Sequence, residues 1–183
     1  MPISGQGWEL RIVRQSEQVR RGRIRTIGTY QIFHDGQPQT GLNGTSVETK
    51  GPGDNKVMGN GRRIEAGVYP LATQAGSHYV TIGFLVSSDP DQTPKPGLEL
   101  QDTGNRSEIL VHPGHGFLAS VGCINLTQTL ASGNTDIPFV DSRDRVIAAI
   151  NDLKSFSGTN FPHFNGQPIA TAFVVIDGEP MSD

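Results

Sequence analysis

Glycine and proline interrupt this chain too often for it to be built from long helices: 23 glycines and 12 prolines fall among 183 residues. Glycine raises the entropic cost of regular structure, and proline removes a backbone donor. Short strands joined by many turns are the expected outcome. The apolar and β-branched runs agree. Residues 8–13 alternate as a half-buried strand, and 24–33 form a second. Asp35-Gly36 supplies a hairpin turn, and 40–48 form a third strand with interruptions at Gly41 and Gly44. Further strands are expected at 68–71, 79–86, 98–100, 109–111 and 169–176, the last strongly apolar and central. One segment has helical periodicity. Val146, Ile147, Ile150 and Leu153 form an apolar stripe on a helix of about 143–156, with Asp141 or Ser142 as its cap. The expectation is one domain over 1–183 with a β-rich α+β fold: a sandwich or barrel of small mixed sheets with one main helix. Residues 178–183 are expected to form a frayed tail.

Charge excludes some functions. With 15 basic and 18 acidic side chains, the net charge of −3 offers no global attraction for nucleic acid. No apolar run approaches the length of a membrane span. The N-terminal residues lack the basic region and apolar run of a secretory signal. The basic segment 19–25 reads as a solvated or edge strand face, with a carboxylate-binding strip as the alternative. Loop 51–61 lacks the spacing of a phosphate loop. Its length marks it as mobile or functional, and it is a candidate lid.

Chemistry concentrates in 109–126, Ile-Leu-Val-His-Pro-Gly-His-Gly-Phe-Leu-Ala-Ser-Val-Gly-Cys-Ile-Asn-Leu. Cys123 is the only cysteine, so no internal disulfide is available to it. A free cysteine is often only a small buried hydrophobe. Here, however, His112 and His115 lie 11 and 8 positions upstream. A strand, a turn and a return of that length can fold either histidine against the thiol, which needs a base to act as a nucleophile. His112, at a strand end, is the better placed base. Gly122 permits close backbone approach, and the Gly122 and Cys123 amides are candidate oxyanion donors. Ser120 is a candidate to orient a histidine or shape the turn. The alternative chemistry is a zinc site of His112, His115 and Cys123, with Asp102 or Glu108 as base.

The segment resembles the catalytic motif of the L,D-transpeptidase domain, whose members carry an upstream His and then Ser/Thr-His-Gly-Cys-hydrophobic-Arg/Asn. Ser120, Gly122, Cys123, Ile124 and Asn125 match, and His112 fits the upstream position. Val121 stands where the family has a second His. The short His112–Cys123 interval is similar to the compact versions found in type VI secretion effectors. The resemblance implies the L,D-transpeptidase fold and a thiol enzyme without cofactor or metal. It would cleave or exchange the terminal D-alanine of peptidoglycan tetrapeptide stems. Asn125 would fix the loop after the nucleophile or contact the stem. Arg62 and Arg63 are candidates for a carboxylate of diaminopimelate or D-alanine, on chemistry alone. An effector of this kind would be made in the cytoplasm, act in a target periplasm, and have an immunity protein and secretion machinery as partners. The competing class is an inactive wall-binding or phage-structural module with the same fold.

Overall fold

A computed structural model describes residues 2–180. Ten strands and, among the described residues, one α-helix follow in the order β1 (Trp8–Arg20), β2 (Arg23–His34), β3 (Gln37–Thr49), β4 (Gly67–Thr73), β5 (Tyr79–Val80), β6 (Lys95–Pro96), β7 (Leu98–Leu100), β8 (Leu110–Val111), β9 (Asn125–Thr127), α1 (Phe139–Ser157) and β10 (Pro168–Asp177). Eight of the strands form one mixed sheet in the order β8-β7-β4-β10-β1-β2-β3-β9, and β5 pairs with β6 apart from it. The β1–β10 pair is parallel, while its flanking pairs are antiparallel. Two long hairpins start the chain. Their two-residue turns, Arg21-Gly22 and Asp35-Gly36, have positive φ at both positions, the left-handed geometry whose twist suits a hairpin.

The sheet curls until its two ends meet. Val111 at the end of β8 bridges Ile124, just before β9, in parallel. Ile124 N–H donates to Leu110 O at 2.8 Å, and His112 N–H donates to Ile124 O at 3.0 Å. A nearly closed, barrel-like sheet results, and this short bridge is its seam. Trp8, Leu10 and Ile12 of β1, Val174 and Ile176 of β10, and Val111, Ile124 and Leu126 beside the seam share one apolar core. α1 contributes Val146, Ala149, Ile150 and Leu153 to the same core.

Several elements depart from the sequence expectation. The helix begins four residues earlier than expected, after Pro138, and no side chain caps it. Asp141 instead accepts from Gln128 N–H at 2.8 Å and from Arg145 Nε at 3.0 Å. Ser142 is buried facing β9. Gly158 ends the helix with positive φ, its N–H returning to Lys154 O. Of 79–86 only Tyr79–Val80 is strand. Gly83 has φ 82°, and Leu85 N–H bonds Pro94 O, so the segment pairs with its own loop rather than entering the sheet. Segment 19–25 closes the β1–β2 hairpin with Val19, Arg21, Gly22 and Arg23 exposed, as a solvated face would be; only Arg25 is buried, and both Arg20 and Arg25 lie 4.5 Å over the Phe117 ring. Loop 51–61 is fastened, with Asn55 bonding both Tyr69 OH and Glu65 N–H. Of the expected tail, Glu179 is held by Arg14 and Arg63, and 181–183 lie outside the described residues.

Candidate active site

The strand alternation at the seam decides which side chains meet. Val111 and Ile124 point into the core and are fully buried. Their neighbours Leu110, His112, Cys123 and Asn125 therefore project from the opposite face, since successive strand residues alternate. In a parallel bridge at 111 and 124, residue 123 lies beside 110 and residue 125 beside 112. Cys123 and His112 are diagonal neighbours across the seam. The Cys123 Sγ accepts from Leu110 N–H at 3.4 Å, and its S–H donates to Glu108 O at 3.4 Å. A cavity of about 310 Å³ opens onto the thiol, lined by Gln74, Gly76, Ser77, His78, Tyr79, Glu108, Leu110 and Cys123. Tyr79 packs on the His112 ring with centroids 4.4 Å apart and lines the same cavity as the thiol.

His112 is held from several sides. Its Nδ1 lies 2.7 Å from Pro113 O. A carbonyl only accepts, so Nδ1 carries the proton and Nε2 is the bare, basic nitrogen. Asn125 Nδ2 donates to His112 O at 2.9 Å. Gly114 N–H, one turn further on, donates to Ser142 Oγ at 2.8 Å, and Ser142 Oγ donates to Leu126 O at 2.6 Å. The helix thus clamps the turn after His112 to β9. A Cβ at Gly114 would come within 2.7 Å of Asn125 Cγ, so this packing requires glycine.

Burial sets the electrostatics. His112 is 3% exposed, and burial pulls its pKa down from 6.5 to about 4; the hydrogen bond to Pro113 O opposes this, and Lys95 adds to it. Burial likewise pushes the Cys123 thiol above its usual value, opposed by Leu110 N–H and Arg106 and reinforced by Glu108. Both shifts favour the uncharged imidazole and the uncharged thiol. Tyr79 is raised by burial and by the proximity of Cys123.

The other expected residues divide. Ser120 Oγ donates to Cys123 O at 3.0 Å and lies 3.4 Å from Asn125 Oδ1, so it shapes the turn that carries the cysteine. Gly122 has φ 117°, a conformation open to glycine, and a Cβ there would overlap Arg106 Nη2. Among the described residues, the Gly122 and Cys123 amides donate to no protein acceptor. Val121 is 66% exposed. His115 is exposed and meets Phe139 edge-on, with ring centroids 6.5 Å apart. The described residues hold no group of three His, Cys, Asp or Glu side chains placed for a metal ion. Asn125 is fully buried on His112 and positions it, leaving no exposed surface for a ligand. Arg63 is also fully buried, bound to Glu17, Glu179 and Thr26. Arg62 offers its carbonyl to Arg106 at 2.8 Å. Neither these two arginines nor Arg106 lines the cavity at the thiol. A larger cavity of about 680 Å³ lies beside Glu17, Glu65 and Glu179 and contains no histidine or cysteine.

Sequence reading did not single out Arg106, the Pro113 carbonyl, Tyr79 as part of the site, or Ser142 as a clamp. None has a diagnostic spacing to the cysteine. The helix of 18 or more residues that a membrane crossing would require, with sufficient apolarity, does not occur among the described residues. No family model, curated protein or solved structure matches this chain.

Proposed function

We propose that this protein is a cysteine acyl-transfer enzyme of the L,D-transpeptidase kind, acting on the tetrapeptide stems of peptidoglycan. The observation that carries the reading is the His112 lock. A buried imidazole with Nδ1 committed to Pro113 O presents Nε2 as a base, and it sits diagonally across the seam from the only thiol. A substrate carbonyl entering the cavity would meet the Cys123 sulfur. The S–H proton passes to His112 Nε2 as the C–S bond forms, because a base of low pKa gains little by taking the proton beforehand. The Gly122 and Cys123 amides face the oxyanion that develops. The C–N bond to D-alanine then breaks, and His112 returns the proton to the leaving amine. Water or a second amine resolves the thioester and frees the thiol.

The test is mass spectrometry of purified disaccharide-tetrapeptide incubated with wild type and with Cys123→Ala. Loss or exchange of D-alanine in wild type alone is expected. The same products from both proteins would remove the cysteine mechanism. An unchanged stem in both would favour the binding-module reading, which the raised thiol pKa and the exposed Val121 in place of a histidine also support.

A further inference from the structure

Arg106 is a buried cation placed at the nucleophile with part of its fork unused. It is 6% exposed. Its Nη1 donates to Arg62 O at 2.8 Å and to Asp54 O at 3.3 Å. Its Nε and Nη2 make no hydrogen bond among the described residues; the charge of Asp54 acts on it without a direct ion pair there. Neither nitrogen is sealed from solvent as an orphaned buried donor would be. Nη2 lies against Gly122, at the position a side chain would otherwise fill, next to the Gly122 and Cys123 amides that donate to no protein acceptor among the described residues. Two further charges lie close. Glu108 lines the thiol cavity, and Lys95 stands 5.4 Å over the Tyr79 ring with its Nζ donating to Pro90 O.

A buried arginine is ordinarily paired with a carboxylate. The guanidinium fork suits a planar carboxylate better than any other anion of peptide chemistry. Loop 101–107 is stitched to loop 51–61, with Asn105 N–H on Asn55 O at 2.9 Å and Asn105 Nδ2 on Lys56 O at 2.8 Å. The cation is thus held at the nucleophile by two loops rather than left to swing.

We propose that Arg106 anchors a free carboxylate of the substrate beside Cys123, so that the acyl donor must carry a carboxylate within about one residue of the scissile carbonyl. The inference rests on the acyl-transfer reading of Cys123, and in a tetrapeptide stem two groups satisfy it. One is the terminal carboxylate of the leaving D-amino acid. The other is the side-chain carboxylate of the diamino acid that donates the acyl group.

Alkylation tests the anchor without requiring turnover. At alkaline pH, iodoacetate carries a carboxylate to the thiol and iodoacetamide does not. Wild type should favour iodoacetate relative to iodoacetamide by roughly tenfold over free cysteine. Arg106→Gln should lose that preference, with any slowing from loss of the cation beside the thiolate common to both reagents, and Lys95→Gln should retain it. Equal loss of both rates in Arg106→Gln would assign Arg106 to the thiolate alone and overturn the proposal, as would an unaltered preference. A second arm uses the wild-type protein, free of any folding defect. Tetrapeptide stems amidated at the terminal carboxylate, or at the diamino acid carboxylate, are compared with the parent stem. One amide should lose about 10- to 100-fold in kcat/KM, which names the carboxylate bound, and equal turnover of all three overturns the anchor. If no stem turns over, the acyl-transfer reading fails, and the alkylation ratio alone decides whether Arg106 binds an anion at the thiol.

Discussion

At the scale of single residues, His112 and Cys123 are each shifted toward neutrality by burial. The thiol should then be slow, and an activated thiol reacting near pH 6 is not expected of the free protein. Iodoacetamide alkylation of Cys123 should be slower than that of free cysteine at neutral pH, rising only above the ordinary thiol range. Fast reaction at pH 6 would show an ion pair that this geometry does not favour. His112 makes a second prediction, with a definite sign. Its folded pKa is about 4 against 6.5 unfolded, so the unfolded chain takes up the proton first as pH falls. The His112 contribution is complete above pH 6.5 and is lost as pH drops toward 4, by about 3 kcal/mol. Urea denaturation of wild type and His112→Gln at pH 7.5 and pH 4.5 checks this. The gap between their pH dependences should be of that order, and parallel behaviour would refute the buried, neutral histidine.

At the scale of elements, the helix contributes to the site through Ser142. Its hydroxyl takes the Gly114 amide and gives its proton to Leu126, so one side chain ties the turn after His112 to β9. Ser142→Ala leaves a buried amide unpaired and should cost about 1–3 kcal/mol in denaturant titration. Activity should fall further than stability, because the Pro113 carbonyl that orients His112 lies in the same turn. Val121 is the contrasting position. It stands at an exposed corner, and Val121→His should leave the unfolding midpoint unchanged within about 0.5 kcal/mol. Any gain in stem-peptide turnover would then report chemistry rather than folding.

At the scale of the whole molecule, closure depends on contacts far apart in sequence. Arg14 of β1 pairs in both donor positions with Glu48 of β3, at 2.8 and 2.7 Å, and also reaches Ile64 O and Glu179. Both partners are almost fully buried. Glu48→Gln would leave Arg14 with only the part-exposed Glu179 as counter-charge and should destabilise by about 1–3 kcal/mol, measurable by chemical denaturation. Loss well under 1 kcal/mol would show that water reaches the pair.

The local rules of this fold were legible in the sequence. Asp35-Gly36 fixes a hairpin because both positions need positive φ, and the apolar stripe from Val146 to Leu153 can be buried only as a helix face. The neighbourhood of Cys123, His112, Ser120 and Gly122 was legible too, because these residues lie within one strand, turn and return. Tertiary structure decided the rest. The sheet closes on itself at Val111 and Ile124, and that seam puts His112 on the same side as the thiol. His115, three residues away, turns out to Phe139 instead. Segment 79–86 has the composition of a strand, yet most of it pairs with its own loop. Its Tyr79 still reaches His112. Arg62 and Arg63 carry the charge suited to a carboxylate, but Arg106 is the arginine packed against Gly122, next to the cysteine. Local sequence specifies turns and faces because those energies depend on neighbouring residues. Which charge meets the thiol depends on loops brought together across the barrel, and no spacing along the chain encodes that.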